Sequence, residues 1–179
     1  PYQVDQFLNV GTQDAGFPTI SPTFSPTDLV TVSIGGNDAR QFQQITTAGG
    51  TPTFTVQDSI TSARTQLNRL VAAGASNISF LAGDTSRLPE IAGNTSAQQI
   101  RSTYSNTYNA ALQQTLSGYA SQGVMVHYLD LNAVLNQVSA NLPAYGFQGV
   151  ACPAFPPPLS TGTSTTCLNP LAASQFLFY

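Results

Sequence analysis

The sequence predicts an α/β fold, a three-layer α/β/α domain around a central parallel sheet. Two observations point there. Short apolar runs alternate with longer stretches of helical periodicity between residues 28 and 142, the order that right-handed βαβ crossovers produce. The short runs are also near-continuously apolar, as strands covered on both faces are. A length of 179 residues suits a single domain, 1–179, with a sizeable core. No internal repeat or interdomain linker breaks it.

Taken in order, "GFPTISPTFSPT" (16–27) is a surface excursion, and "DLVTVSIG" (28–35) is a strand bounded by turn residues on both sides. Its place is expected in the interior of the sheet. "TVQDSITSARTQLNRLVAAGA" (55–75) keeps Ile60, Ala63, Leu67, Leu70 and Val71 at helical spacing, with Gly74 as the stop. "NISFLAG" (77–83) is the second strand. A long helix follows in 96–123, its apolar stripe made by Ile100, Tyr104, Ala111, Leu112, Leu116 and Tyr119. Its tyrosines read as core. "VMVHYLD" (124–130) is the third strand, and "LNAVLNQVSANL" (131–142) a shorter helix capped by Asp130. The run "SQFLFY" (174–179) reads as one more strand.

Composition excludes several classes of function. Charged residues make up 7% of the chain and none is lysine. The net charge is −3. With no basic stripe, nucleic acid is not an expected partner. No apolar run is long enough to span a bilayer as a helix. Cys152 and Cys167 bracket "PAFPPPLSTGTSTT", a proline-rich loop with little else to hold it. Their pairing as a disulfide, in an oxidising compartment, is the expectation; two reduced, unrelated cysteines are the alternative. Two cysteines and a distant histidine do not make a zinc set, so neither metal nor cofactor is expected.

The chemistry-bearing stretch is "VTVSIGGNDAR" (30–40). Gly, Asn and Asp are common turn residues, and a plain turn is one reading. The other is a site, because open α/β sheets bind ligands beyond the carboxyl ends of their strands. There the neutral amide of Asn37 can donate a hydrogen bond to an oxyanion forming on a carbonyl oxygen. Gly35 and Gly36 let the backbone turn sharply and let substrate approach. Asp38 is expected to brace the loop by accepting backbone N–H groups.

Gly35, Gly36, Asn37 and Asp38 resemble the Gly-x-Asn-Asp block of the SGNH, or GDSL, hydrolases. Other segments resemble that family in the same order: "PYQVDQFL", "GASNISFLAGDTSRLPE", "YNAALQQTL", "VHYLDLNAVLNQV" with "PAYGF", and "ACP…CLNP…FLFY". The last is similar to the paired-cysteine loop of secreted bacterial members. The resemblance implies a flavodoxin-like fold and a serine esterase or lipase using a Ser-His-Asp triad. It implies Asn37 as oxyanion donor and a small-molecule or lipid ester as substrate. Low charge and paired cysteines fit a secreted or periplasmic place, or the outer-membrane surface, with a membrane anchor in a separate autotransporter domain.

Two departures stand beside the matches. The sequence holds no Gly-Asp-Ser block and no Gly-x-Ser-x-Gly elbow. Its single histidine, His127, lies mid-strand and reads as structural rather than as a general base. The expectation is therefore a central segment, incomplete at both ends, with nucleophile and base outside it and no activity of its own. Asp84 and Glu90 read as a solvated loop rather than an acid pair. The rival reading is a non-catalytic surface or carbohydrate-binding domain on the same scaffold.

Overall fold

The computed structural model describes residues 2–8, 23–151 and 176–178. Chain order is helix α1 (Tyr2–Phe7), strand β1 (Val30–Val32), α2 (Gly36–Thr47), α3 (Val56–Ala72), β2 (Asn77–Ala82), α4 (Thr95–Ala120), β3 (Met125–Asp130), α5 (Leu131–Ala140), β4 (Gly149–Ala151) and β5 (Phe176–Phe178). Short 3₁₀ turns at Thr85–Arg87 and Pro89–Ile91 link β2 to α4. β1, β2 and β3 form a parallel sheet in that order, and β4 pairs with β5 in a second parallel ladder.

Register explains the core. Val30, Ile78 and Val126 lie side by side, as do Val32, Phe80 and Tyr128. Both rows therefore share one face, since side chains alternate along a strand. They join one cluster with Ile60, Ala63, Leu67 and Leu70 of α3 and Tyr108, Leu112, Leu116 and Tyr119 of α4. Ile78, Phe80, Leu67 and Leu112 have no exposed surface. Burying an apolar side chain of that size stabilises by about 1.5–3 kcal/mol. The Phe80 and Tyr128 rings stack across the strands, centroids 6.2 Å apart. On the other face Thr31, Met125, His127 and Leu129 are exposed, so the covering of the described sheet is heavy on one side and sparse on the other.

This geometry corrects the expected place of the first strand. Among the described residues β1 lies at an edge and β2 in the middle. The reason is visible in burial. Along β2 consecutive residues Ile78, Ser79 and Phe80 are all buried, whereas in β1 Val30 and Val32 are half-buried and Thr31 is exposed. Residues 28–34 alternate about the core face and do not fill both faces.

Local signals set the helix ends. Thr55 and Asp58 form a reciprocal capping box at the start of α3. At its end Gly74, with φ 104°, lets the Ala75 N–H reach the Leu70 carbonyl at 3.0 Å. Asp130 caps α5, its Oδ1 accepting from the Asn132 N–H at 2.8 Å. The α1 helix is tied to α3 by the ion pair Asp5–Arg69 at 2.6 Å. The α2 helix was not among the expected elements: past the turn at Gly35, the Gly36-Asn37-Asp38 stretch opens a helix of 12 residues. Its buried positions are Ala39 and Gln43, and the polar Gln43 hides the apolar period. Cys152, Cys167 and their expected disulfide lie outside the described residues.

Candidate functional site

Beyond the end of β1 the chain turns at Gly35 with φ 103° and enters α2. Two constraints meet there. Positive φ disfavours any residue with a side chain. A Cβ at Gly35 would also lie 2.5 Å from Cε1 of Tyr108. Tyr108, from α4, is buried and forms the floor on which the turn rests. Gly36 is close to Thr85, whose Cγ2 would be 3.4 Å from an added Cβ.

Gly35 caps α2 without a side-chain hydrogen bond. The first intrahelical bond runs from the Ala39 N–H to the Gly35 carbonyl at 3.0 Å. The N–H groups of Gly36, Asn37 and Asp38 thus precede the helical ladder, at the positive end of the helix. Asn37 is exposed, and its Oδ1 accepts a hydrogen bond from Nη2 of Arg40 at 2.8 Å. With the oxygen so engaged, the amide N–H₂ has no hydrogen-bond partner among the described residues.

Asp38 is half-buried in the first turn of α2, where a carboxylate suits the helix dipole. It does not brace the loop as expected: no backbone N–H donates to it among the described residues. Its N3 position lacks the reciprocal bond of a capping box because the residue at the cap is glycine. Its charge acts at a distance instead. Burial pushes the Tyr108 phenol far above its ordinary pKa, and the Asp38 and Tyr104 charges add to the rise. Tyr104 is raised by burial, opposed by its hydrogen bond to Ser59, and raised further by Asp38 and Asp58.

Gly35, Gly36, Asn37, Asp38 and Arg40 line a cavity of about 1150 Å³. One wall is the edge of β1 with Ser33 and Ile34, another is α3 with Ser59, Ser62, Ala63 and Leu67, and Thr85, Leu88 and Tyr108 close the side next to the turn. The volume slightly exceeds that of common small-molecule pockets. Ser59 accepts a hydrogen bond from the Tyr104 hydroxyl at 2.6 Å. No histidine lines the cavity. His127 sits on β3, opposite Ser79 of β2, and is exposed. Among the described residues no three histidine, cysteine or acidic side chains converge as a metal site.

The neighbouring loop is anchored rather than solvated, which corrects the reading of Asp84 and Glu90. Arg101 of α4 is 1% exposed. Its Nη1 donates to Glu90 at 2.7 Å and to the Thr85 carbonyl at 3.4 Å, and its Nε donates to Gln43 of α2 at 3.0 Å. One buried cation therefore ties α2, which begins at the motif, to the Thr85 wall. Asp84 accepts from the Ser86 N–H and from the Ser102 hydroxyl, each at 2.8 Å. Sequence reasoning passed over Arg40 and Arg101, and it read Tyr108 as one of the core tyrosines of the long helix without linking it to the motif. Signals for the two arginines exist: Arg40 stands three residues after Asn37, and Arg101 falls between Ala97 and Tyr104/Ser105 on the buried stripe of α4. A charged residue in such a stripe requires an internal partner.

The arrangement offers a neutral hydrogen-bond donor at the lip of a cavity, beyond the carboxyl end of a parallel strand. A family model described as GDSL-like lipase/acylhydrolase matches residues 1–156. No curated protein matches the chain.

Proposed function

From the premise that the chain belongs to the GDSL-like lipase/acylhydrolase family, a family of hydrolases, we propose that Asn37 is the oxyanion donor of a carboxylic ester hydrolase with a Ser-His-Asp triad. The observation that supports it is the Asn37 side chain lining the cavity, with its amide oxygen engaged by Arg40 and its N–H₂ unpartnered among the described residues. As a serine Oγ, giving its proton to the histidine, attacks the ester carbonyl carbon, the carbonyl π electrons move onto the oxygen. Asn37 Nδ2–H donates to that growing charge. Collapse of the tetrahedral species expels the alkoxide, which takes the proton held by the histidine, and water then releases the acyl group. A preorganised donor of this kind lowers the barrier by roughly 3–4 kcal/mol.

Nucleophile and base come, in this reading, from outside Pro1–Tyr179. Among the described residues three serines, Ser33, Ser59 and Ser62, line the cavity, and no histidine accompanies them. The substrate is a small-molecule or lipid ester, and the half-apolar cavity wall of Ile34, Ala63 and Leu67 is compatible with an acyl chain. Low charge and the Cys152/Cys167 pair support a secreted, periplasmic or outer-membrane surface location, including an autotransporter passenger.

The test is Asn37→Ala in the full-length protein, assayed on p-nitrophenyl esters. The expected result is a kcat about a hundredfold lower, with KM little changed. A folded variant with near-wild-type kcat would refute the assignment. Residues 1–179 alone are expected to hydrolyse no ester above buffer. Turnover by them that a serine-reactive phosphonate abolishes would show that one of their own serines is the nucleophile.

A further inference from the structure

We propose that Arg40 is a positioning residue for the reaction: its guanidinium holds the Asn37 side chain in the one orientation that presents N–H, and not carbonyl oxygen, to the cavity. The inference rests on the reading of Asn37 as oxyanion donor and extends it to how that donor is aimed.

An asparagine amide is nearly symmetric in shape and opposite in chemistry at its two ends. A half-turn about its last torsion exchanges a donor for an acceptor at the same point. Facing a developing oxyanion, the donor stabilises and the carbonyl oxygen repels. Asn37 is exposed, so packing does not choose between the two orientations. Arg40 does, because a guanidinium has only donors. Its Nη2 lies 2.8 Å from Oδ1, a bond that only the oxygen end can accept.

The spacing makes the bond a property of the helix. Asn37 and Arg40 are three residues apart in the opening turns of α2, where such pairs face one another. The helix start is itself fixed, since Gly35 rests on Tyr108 and Arg101 holds Gln43. A cation on the carbonyl oxygen also draws electron density through the amide, which makes its N–H the stronger donor.

Arg40 stands apart from the other four arginines. Arg64 bonds Thr115, Arg69 pairs with Asp5, Arg87 bonds Asn136 and Arg101 pairs with Glu90, each joining two separate segments. Among the described residues Arg40 reaches only Asn37, in its own helix, and it lines the cavity. Joining the described segments of the fold is therefore not its task.

The experiment is a double-mutant cycle in the full-length protein with a p-nitrophenyl ester, using Arg40→Met, Arg40→Lys, Asn37→Ala and the Arg40→Met/Asn37→Ala pair. Thermal melts establish that each variant is folded. Arg40→Met is expected to lower kcat about tenfold, the scale of freeing one positioned side chain, with KM unchanged. Arg40→Lys, which keeps charge and donor, recovers most of the loss. In the Asn37→Ala background Arg40→Met changes nothing further, because there is no amide left to aim.

Three outcomes overturn the proposal. Wild-type kcat in Arg40→Met, with Asn37→Ala still strongly impaired, removes the positioning role and leaves the oxyanion reading standing. An equal loss in both backgrounds, or a loss confined to KM, shows Arg40 acting on substrate independently of Asn37. Wild-type kcat in Asn37→Ala removes both readings together.

Discussion

The middle of the sheet and the end of its first strand are held by different physics. Around β2 the contacts are apolar and redundant: Ile78 and Phe80 are enclosed by α3, α4 and the flanking strands. At Gly35–Arg40 the side chains of Asn37 and Arg40 are exposed, and the turn keeps its shape through one glycine lying on one tyrosine ring. Packing in the first region provides stability. In the second, backbone geometry and one hydrogen bond provide orientation. Damage to the first should therefore unfold the protein, and damage to the Asn37 and Arg40 side chains of the second should spare the fold while it removes activity.

The sharpest way to break that contrast is Phe80→Ala, expected to cost about 3–5 kcal/mol through lost burial and a residual cavity, read by denaturant unfolding of the intact protein. A loss below about 1 kcal/mol would mean that the centre of the core lies elsewhere. Next is Gly35→Ala. It forces a side chain into positive φ and against Tyr108, and about 2 kcal/mol is expected. Pairing it with Tyr108→Ala should recover the clash but not the backbone strain. Full recovery would locate the whole constraint in the ring.

A smaller effect appears with pH. Tyr104, Tyr108, Tyr119 and Tyr128 all have phenols raised above the ordinary value of 10.0, with burial the largest cause in each. The folded chain thus favours the neutral form. Its contribution to stability is fully present below 10.0 and is lost as pH rises from there through the folded values. Alkaline unfolding should coincide with the rise in tyrosinate absorbance, and Tyr108→Phe should make it less steep. Four tyrosines ionising freely before unfolding would contradict the burial. Smallest of all, Asn37→Ala should change stability by no more than about 0.5 kcal/mol. A larger loss would make the motif part of the scaffold.

Much of this was legible in the chain. Apolar runs and helical stripes located β2, α3, α4, β3 and α5, because burial imposes period 2 or 3.6 on residue type. Gly74 marked an end through its positive φ and Asp130 a start through its side-chain cap. The α2 helix was not legible, since Gln43 occupies a buried position and is satisfied by Arg101 from 58 residues away. Nor was the edge position of β1 among the described strands, because Val30, Thr31 and Val32 suit an edge strand and an interior strand alike. Asp84 and Glu90 looked solvated, as charged loop residues usually are, until their partners Ser102 and Arg101 were in place.

By itself the sequence determined the α/β class, the parallel order of elements and the motif in which Asn37 stands, because each follows from residue type and short-range spacing. Only the tertiary structure decided that Gly35 lies on Tyr108, that α2 is tied to the Thr85 turn by Arg101, and which end of the Asn37 amide Arg40 engages. The first two join residues 73 and 58 positions apart along the chain. Contacts at that separation are set by how helices pack on the sheet, and no local pattern records them. The third turns on whether Arg40 reaches Oδ1, which spacing permits but only the folded helix start fixes.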